Sequence, residues 1–394
     1  MSDAVAEDVF PWGGLLPLAF AYFMVGTTSL CVIGLVPVIS ADLGIAAPDV
    51  AILVTVFALT FAIVAPTGQI VLKRFSRGQI LLLGLALLAI GMAASAAAPN
   101  YEILFASRII LGVGGALVSP MCSAIGAEMT PPQSQGKAMS VVFSGLAFAT
   151  VLGVPMTAYL GTVVGWRASM ALIGVLALIS FVIVLVKVRD SKFGSSTTFE
   201  HIFSLMFQRR PGLAVLSALI QMAAMFCTYA LIAPYLITRY GISTELVSFY
   251  LMLYGICGII GNVFVGRISD RFGPTKTILL SCVGSIVGIL FVWGVGTTAT
   301  LALIGMCIWS AFGMMFHAPQ QHRIANMSVD HRGLMMALNA AALYLGMSLG
   351  AWASRAVFIE MGYEFLPLAS IAGLLLCIAT LLISAWERPA GSDH

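Results

Sequence analysis

Charge is what this sequence has least of. Only 9% of its 394 residues are Asp, Glu, Lys or Arg while 60% are hydrophobic, against about 25% charged and 45–50% apolar in soluble domains. With a mean hydropathy of +1.04, the chain is expected to be an integral membrane protein. A bilayer-crossing helix takes about 20 apolar residues, so twelve of them use about 250–280 positions and leave no room for a soluble domain. Carboxylates are missing from mid-membrane. The sixteen acidic residues all fall at a terminus, in a polar gap or at the end of an apolar run, which removes the simplest intramembrane proton carrier. Paired cysteine motifs are absent too. The seven cysteines all lie in apolar runs with no CxxC or Cys/His spacing, so they read as small hydrophobes, and neither a disulfide frame, a metal site nor a cofactor is expected. No His/Asp/Glu or Ser/His cluster lies within the apolar runs, which argues against an enzyme. The net charge of +3 is too small and too dispersed for nucleic-acid binding. Asp3, Glu7 and Asp8 precede the first apolar run without a Lys or Arg, the wrong sign for a secretory signal, so that run is expected to remain as a helix.

The apolar runs lie near 14–38, 49–72, 79–98, 102–126, 138–162 and 167–188, then near 212–238, 244–266, 275–296, 299–318, 333–357 and 363–386. The expected fold is all-α, with twelve transmembrane helices in two pseudo-symmetric six-helix bundles, 1–188 and 212–394, joined by a cytoplasmic linker over 189–211. Orientation follows from Lys and Arg, which are held on the cytoplasmic side during insertion. With the N-terminus inside, fifteen cations fall in inner gaps and three, Arg167, Arg239 and Arg355, in outer ones. Both termini are therefore expected in the cytoplasm. The halves read as repeats. The run from Gly266 to Gly273 follows the eighth apolar run, and a degenerate copy, Gly68 through Lys73-Arg74-Phe75-Ser76-Arg77, follows the second.

Several segments, in this order and spacing, resemble the major facilitator superfamily, specifically its twelve-helix drug, sugar and purine-nucleoside efflux permeases. They are Gly26-Thr27-Thr28-Ser29 to Pro37 and Ala41-Asp42-Leu43-Gly44, Arg108 with Gly112, Ser144-Gly145 to Gly153-Val154-Pro155, Gly165-Trp166-Arg167, and the G-x-x-x-D-R-x-G signature at 266–273. The resemblance covers nearly the whole chain. It implies a bacterial inner (plasma) membrane permease, without cofactor, that alternates access to a midplane cavity. Two positions depart from the family: Ser29 stands where many relatives carry an acid, and Lys73 where the first loop copy has Asp.

Arg108 lies about six residues, roughly 9 Å, into its helix, so it should face the protein interior or an aqueous cavity. It is read as a substrate or coupling group, against a guanidinium tied to backbone carbonyls merely to join helices. Thr27, Thr28, Ser29, Gln221, Tyr229, Tyr254, Asn339 and Tyr344 are polar groups in apolar runs. Each alone is an interhelical hydrogen bonder, and as a set they are candidate cavity lining. Trp309 and Phe312 could stack a substrate ring. With no acid in the spans, His317 and Glu128 are the remaining titratable candidates, and transport is expected either to be uncoupled from protons or to use His317. Gly145, Gly153 and Pro155 read as a close-packing face with a flexible point, a region the resemblance associates with export. Gly266, Asp270, Arg271 and Gly273 read as a conformational latch, Asp270 pairing with Arg271 or a facing helix N-terminus while the glycines let helices close up.

The function expected is a monomeric secondary transporter moving a small organic solute outward, with proton antiport open. The alternatives are uptake or facilitated diffusion of a polar or anionic solute and, in another class, a non-transporting membrane receptor.

Overall fold

The computed structural model describes residues 10–131, 134–188, 209–294, 298–327 and 332–386. Among these, twelve helical spans are long and apolar enough to cross a membrane, and no strand occurs. The first half contains α1 (Trp12–Leu43), α2 (Ala47–Val71), α3 (Arg77–Ala96), α4 (Tyr101–Glu128), α5 (Gln135–Phe148), α6 (Val154–Val163) and α7 (Trp166–Lys187). The second contains α8 (Arg209–Tyr229), α9 (Ile232–Tyr240), α10 (Thr244–Phe272), α11 (Pro274–Trp293), α12 (Ala299–Met314), α13 (His317–Met327), α14 (Arg332–Met361) and α15 (Leu366–Trp386). The expected linker lies outside the described residues up to position 208, and its last three residues already belong to α8.

Three spans are each made of two helices, and a proline explains every interruption. A proline at position i has no N–H to donate to the carbonyl of i−4. In the fifth span, Pro155 strips Val151 of its donor, and a π-helical turn, Ala149–Gly153, joins α5 to α6 there, with the Val154 N–H bonded back to Ala149. Such a bulge admits one extra residue per turn. In the seventh span, Pro234 does the same to Ala230, and the chain breaks between α8 and α9 at Ala230 and Leu231. In the tenth, Pro319 does the same to Met315, and the break falls at Met315 and Phe316. Sequence reasoning expects the flexible point at Pro155 but treats the seventh and tenth spans as uninterrupted, and places the inner end of the tenth near 318 where α13 continues to Met327.

Lipid offers no hydrophobic gain for packing one helix on another, so close approach depends on small residues. A Cβ on Gly145 would sit 1.9 Å from the Ala19 carbonyl oxygen, which lays the fifth span directly on the first. The second half repeats this with Gly346, where a Cβ would meet the Leu219 carbonyl at 2.3 Å and lay the eleventh span on the seventh.

The first span touches α9 of the other half, and two seams carry most of the contact between the halves. One runs down the second and eleventh spans: the Arg355 Nε donates to Asp49 Oδ1 at 2.7 Å, the Ser348 hydroxyl to the Thr55 carbonyl at 3.1 Å, and Tyr344 stacks on Phe61 with centroids 3.5 Å apart. In the other, the fifth and eighth spans touch where a Cβ on Gly255 would lie 2.6 Å from the Thr150 carbonyl. The rungs of the first seam lie between the end of the bundle away from the termini, here the far side, and the middle of the spans. All three far-side arginines are ion-paired: Arg167 with Asp42 at 2.6 Å, Arg239 with Glu364 at 3.0 Å, and Arg355 with Asp49.

Candidate functional site

The three interrupted spans converge. A cavity of about 70 Å³ between the halves is lined by Leu30 of α1 and Thr150 of the π turn on one side. Opposite them are Gln221, Met222, Met225, Phe226 and Tyr229 of α8, Tyr254 of α10, and Gly313, Met314 and His317 around the tenth-span break. Thr150 sits within the π turn, Tyr229 is the last residue of α8, and His317 is the first of α13. Backbone interrupted at membrane depth is tolerated where it is buried in protein or lines a cavity, and such sites carry ligands in other transporters. The cavity volume is well below the roughly 300–1,000 Å³ of sites that hold drug-sized ligands, so a solute of that size enters only when the halves move apart.

Gln221, Met225 and Tyr229 are spaced by four and share one face of α8. Gln221 is 2% exposed and its side-chain oxygen has no hydrogen-bond partner. The rings of Tyr229 and Tyr254 lie nearly parallel, 21° apart in plane and 4.7 Å between centroids. Trp309, fully buried, stands edge-on to both at 6.1 and 5.4 Å, and its indole N–H donates to the Met225 sulfur at 2.9 Å. The wall is thus mostly aromatic and thioether, with the polar groups of Thr150, Gln221, Tyr229, Tyr254 and His317 and no Lys, Arg, Asp or Glu.

Of the residues expected here from sequence, Gln221, Tyr229, Tyr254 and His317 are brought together, and the others lie elsewhere. Arg108 is fully buried inside the first half: its Nε donates to the Leu53 carbonyl and one terminal nitrogen to the Ser29 carbonyl, each at 3.3 Å. Its other terminal nitrogen faces the Cys31 sulfur at 3.8 Å, and the guanidinium lies 5.2 Å from the centre of the Phe57 ring. This arrangement is the helix-joining alternative to a solute contact. Thr28 donates to the Met24 and Val25 carbonyls and Ser29 to Gly26, so both hydroxyls are used within their own helix. Thr27 packs against Gly153, where a Cβ would meet its hydroxyl at 2.3 Å. Tyr344 belongs to the seam with Phe61. Asn339 is 2% exposed and its side-chain oxygen has no partner, but it is not on the cavity wall. Trp309 backs the tyrosines from behind, and Phe312 packs toward Gly284 of α11. Glu128 is paired with Arg77 at 3.0 Å.

The latch residues also differ from expectation. Asp270 and Arg271 are exposed, and the Arg271 guanidinium lies over the Phe272 ring. Among the described residues, Asp270 pairs with neither Arg271 nor a facing helix N-terminus. A Cβ on Gly266 would meet open space, so no close helix approach requires that glycine. Gly273 is required for another reason: its φ of +83°, at the turn from α10 to α11, is one that side chains rarely adopt.

Thr150 and the Met and Phe wall were missed. The four-residue spacing from Gln221 through Met225 to Tyr229 was a usable signal; an apolar residue beside it carries none.

A family model described as Major Facilitator Superfamily matches residues 18–351 and 214–393. The chain is 30% identical over 380 residues to the inner membrane transport protein YdhP of Escherichia coli, an alignment covering 95% of this chain and 96% of that protein. It is 25% identical over 372 residues to YbcL of Bacillus subtilis, an uncharacterised MFS-type transporter, covering 93% and 94%. Among solved structures, a variant of the nucleoside transporter NupG superposes with a TM-score of 0.77 at 14% identity, over 94% of this chain and 98% of that one. At that identity the likeness shows the fold alone.

Proposed function

The chain belongs to the Major Facilitator Superfamily and is on that ground a secondary transporter, and we propose that it is an efflux permease carrying a small organic solute outward by alternating access. The observation that carries this reading is the meeting of three proline-interrupted spans, one from the first half and two from the second, on one cavity. Interruptions supply hinges and free polar backbone where a solute would be held. The outward direction rests on the resemblance of the Gly145 to Pro155 region to exporters. We place both termini in the cytoplasm, from the Lys and Arg asymmetry, and assign coupling to His317. Among the cavity-lining residues it is the one whose ordinary pKa falls near neutrality.

The test begins with a melting-temperature screen of purified protein against sugars, nucleosides, organic anions and lipophilic cations, since a ligand of the native state raises it. The solute found is then followed in proteoliposomes of known orientation. Export requires movement from the cytoplasmic to the outer face driven by an inward proton gradient, with His317→Gln abolishing the drive but not solute exchange. Accumulation only in the opposite direction would establish uptake, and a gradient response surviving His317→Gln would remove His317 from coupling.

A further inference from the structure

We propose that the solute is an uncharged, flat heteroaromatic ring with a hydrogen-bond donor and acceptor side by side on one edge, a lactam-like edge. The inference rests on the cavity being the transport site.

Three observations select this chemistry. The first is charge. The wall holds no Lys, Arg, Asp or Glu, and Arg108 is turned away into the first half. A cation would lose its hydration with no carboxylate to meet it, and an anion would meet only His317, and that only while the imidazole carries its proton. The second is shape. Tyr229 and Tyr254 stack on one another, with Phe226 edge-on to Tyr229 at 5.6 Å, an aromatic cluster whose remaining faces and edges suit a flat ring. Met222 and Met314 adapt around it. The third is the polar complement. Gln221 is buried, lines the cavity and has an unpartnered side-chain oxygen. A Gln side chain offers a donor and an acceptor side by side, and a neutral imidazole one of each. Gln221 with His317 therefore matches a lactam edge. A sugar carries more hydroxyls than these groups can pair, and would leave several against thioethers.

The experiment uses full-length protein in detergent, with melting temperature and tryptophan fluorescence read against five probes: the bicyclic lactam carbostyril, its N-methyl derivative, the N-methylquinolinium cation, quinaldate anion and glucose. Carbostyril is expected to bind and stabilise, and the N-methyl derivative, lacking the donor, to bind about tenfold more weakly or worse. Gln221→Met, close in volume, should erase that difference, and Tyr229→Leu should weaken both ligands alike. Gln221→Asn, which keeps the amide, separates loss of recognition from loss of folding: it should retain part of the preference. The class is overturned if no bicyclic lactam binds, or if the cation, the anion or glucose binds as tightly as carbostyril and loses that binding in Gln221→Met or Tyr229→Leu; the cavity reading then stands. If a probe binds and neither substitution alters its binding, the cavity is not the site, and the proposed function falls with the inference.

Discussion

Arg108 shows that depth in the membrane and access to a solute are separate properties of a residue. Its guanidinium ties α4 to α1 and α2 through the carbonyls of Ser29 and Leu53. Arg108→Ala would open a void and remove the hydrogen bonds that tie the three helices, a loss of about 1–3 kcal/mol. The expected outcome is a lower melting temperature, with unchanged solute affinity in the protein that remains folded. Arg108→Lys should recover only part of the stability, because a single ammonium cannot span both carbonyls as the planar fork does. Loss of affinity at an unchanged melting temperature would return Arg108 to the solute site. The depth of Arg108 was legible in the sequence from its distance to the helix start. Its direction was not, because the carbonyls it meets are backbone, present at every position. Gln221, Tyr229, Tyr254 and His317 were legible as polar groups in apolar runs. Met222, Met225 and Phe226 were not, because lipid, core and cavity all accept the same side chains.

Among the elements, the prolines at 155, 234 and 319 divide spans that the rest of the sequence would make continuous. Pro234→Ala returns an N–H that can bond the Ala230 carbonyl and join α8 to α9 into one helix. Pro234 stands in the first turn of α9, where a missing N–H costs little, so the gain comes from the one added hydrogen bond, about 0.5–1.5 kcal/mol, and the variant should melt at a slightly higher temperature. It should also transport more slowly, since Tyr229 sits at the joint and loses its hinge. A variant that transports at the normal rate would show that the break is not a working hinge. The twelve spans, their order and the two-fold repetition were readable because hydropathy and the Lys and Arg gaps repeat along the chain. The break at Pro155 was legible as a flexible point, and those at Pro234 and Pro319 were hidden. Pro17, Pro37, Pro66 and Pro120 carry the same chemistry, yet lie inside continuous helices. Whether a proline divides its helix depends on what packs around the carbonyl it strips, which is a property of the fold.

At the scale of the whole molecule, the two ends of the bundle differ. The far-side seam is made, with Asp49 bonded to Arg355, while Asp270 of the opposite end stands exposed and has no partner among the described residues. Alternating access requires a second state in which the seam parts, and opposite effects of the two carboxylates follow. Asp49→Asn removes a contact made in the present state, so it should raise the population of the far-side-open state. Asp270→Asn has no contact to lose here. If the 266–273 loop is a latch, it loses one made only in the other state, and the population should move toward the present one. Both effects are bounded. The Asp49 and Arg355 side chains are 42% and 41% exposed, and exposed ion pairs contribute about 0.2–1 kcal/mol, a population change of about fivefold at most. Spin labels on cysteines placed at Glu102 and Glu245, exposed positions near the far-side ends of α4 and α10, in a background without the seven native cysteines, would read the distance distribution between the halves. Asp49→Asn should enrich the longer distance and Asp270→Asn the shorter, and Asp49→Arg combined with Arg355→Asp should restore the original distribution. A shift in the same direction from both carboxylates would leave the seam and the loop without opposing roles, and the latch assignment would have to be withdrawn.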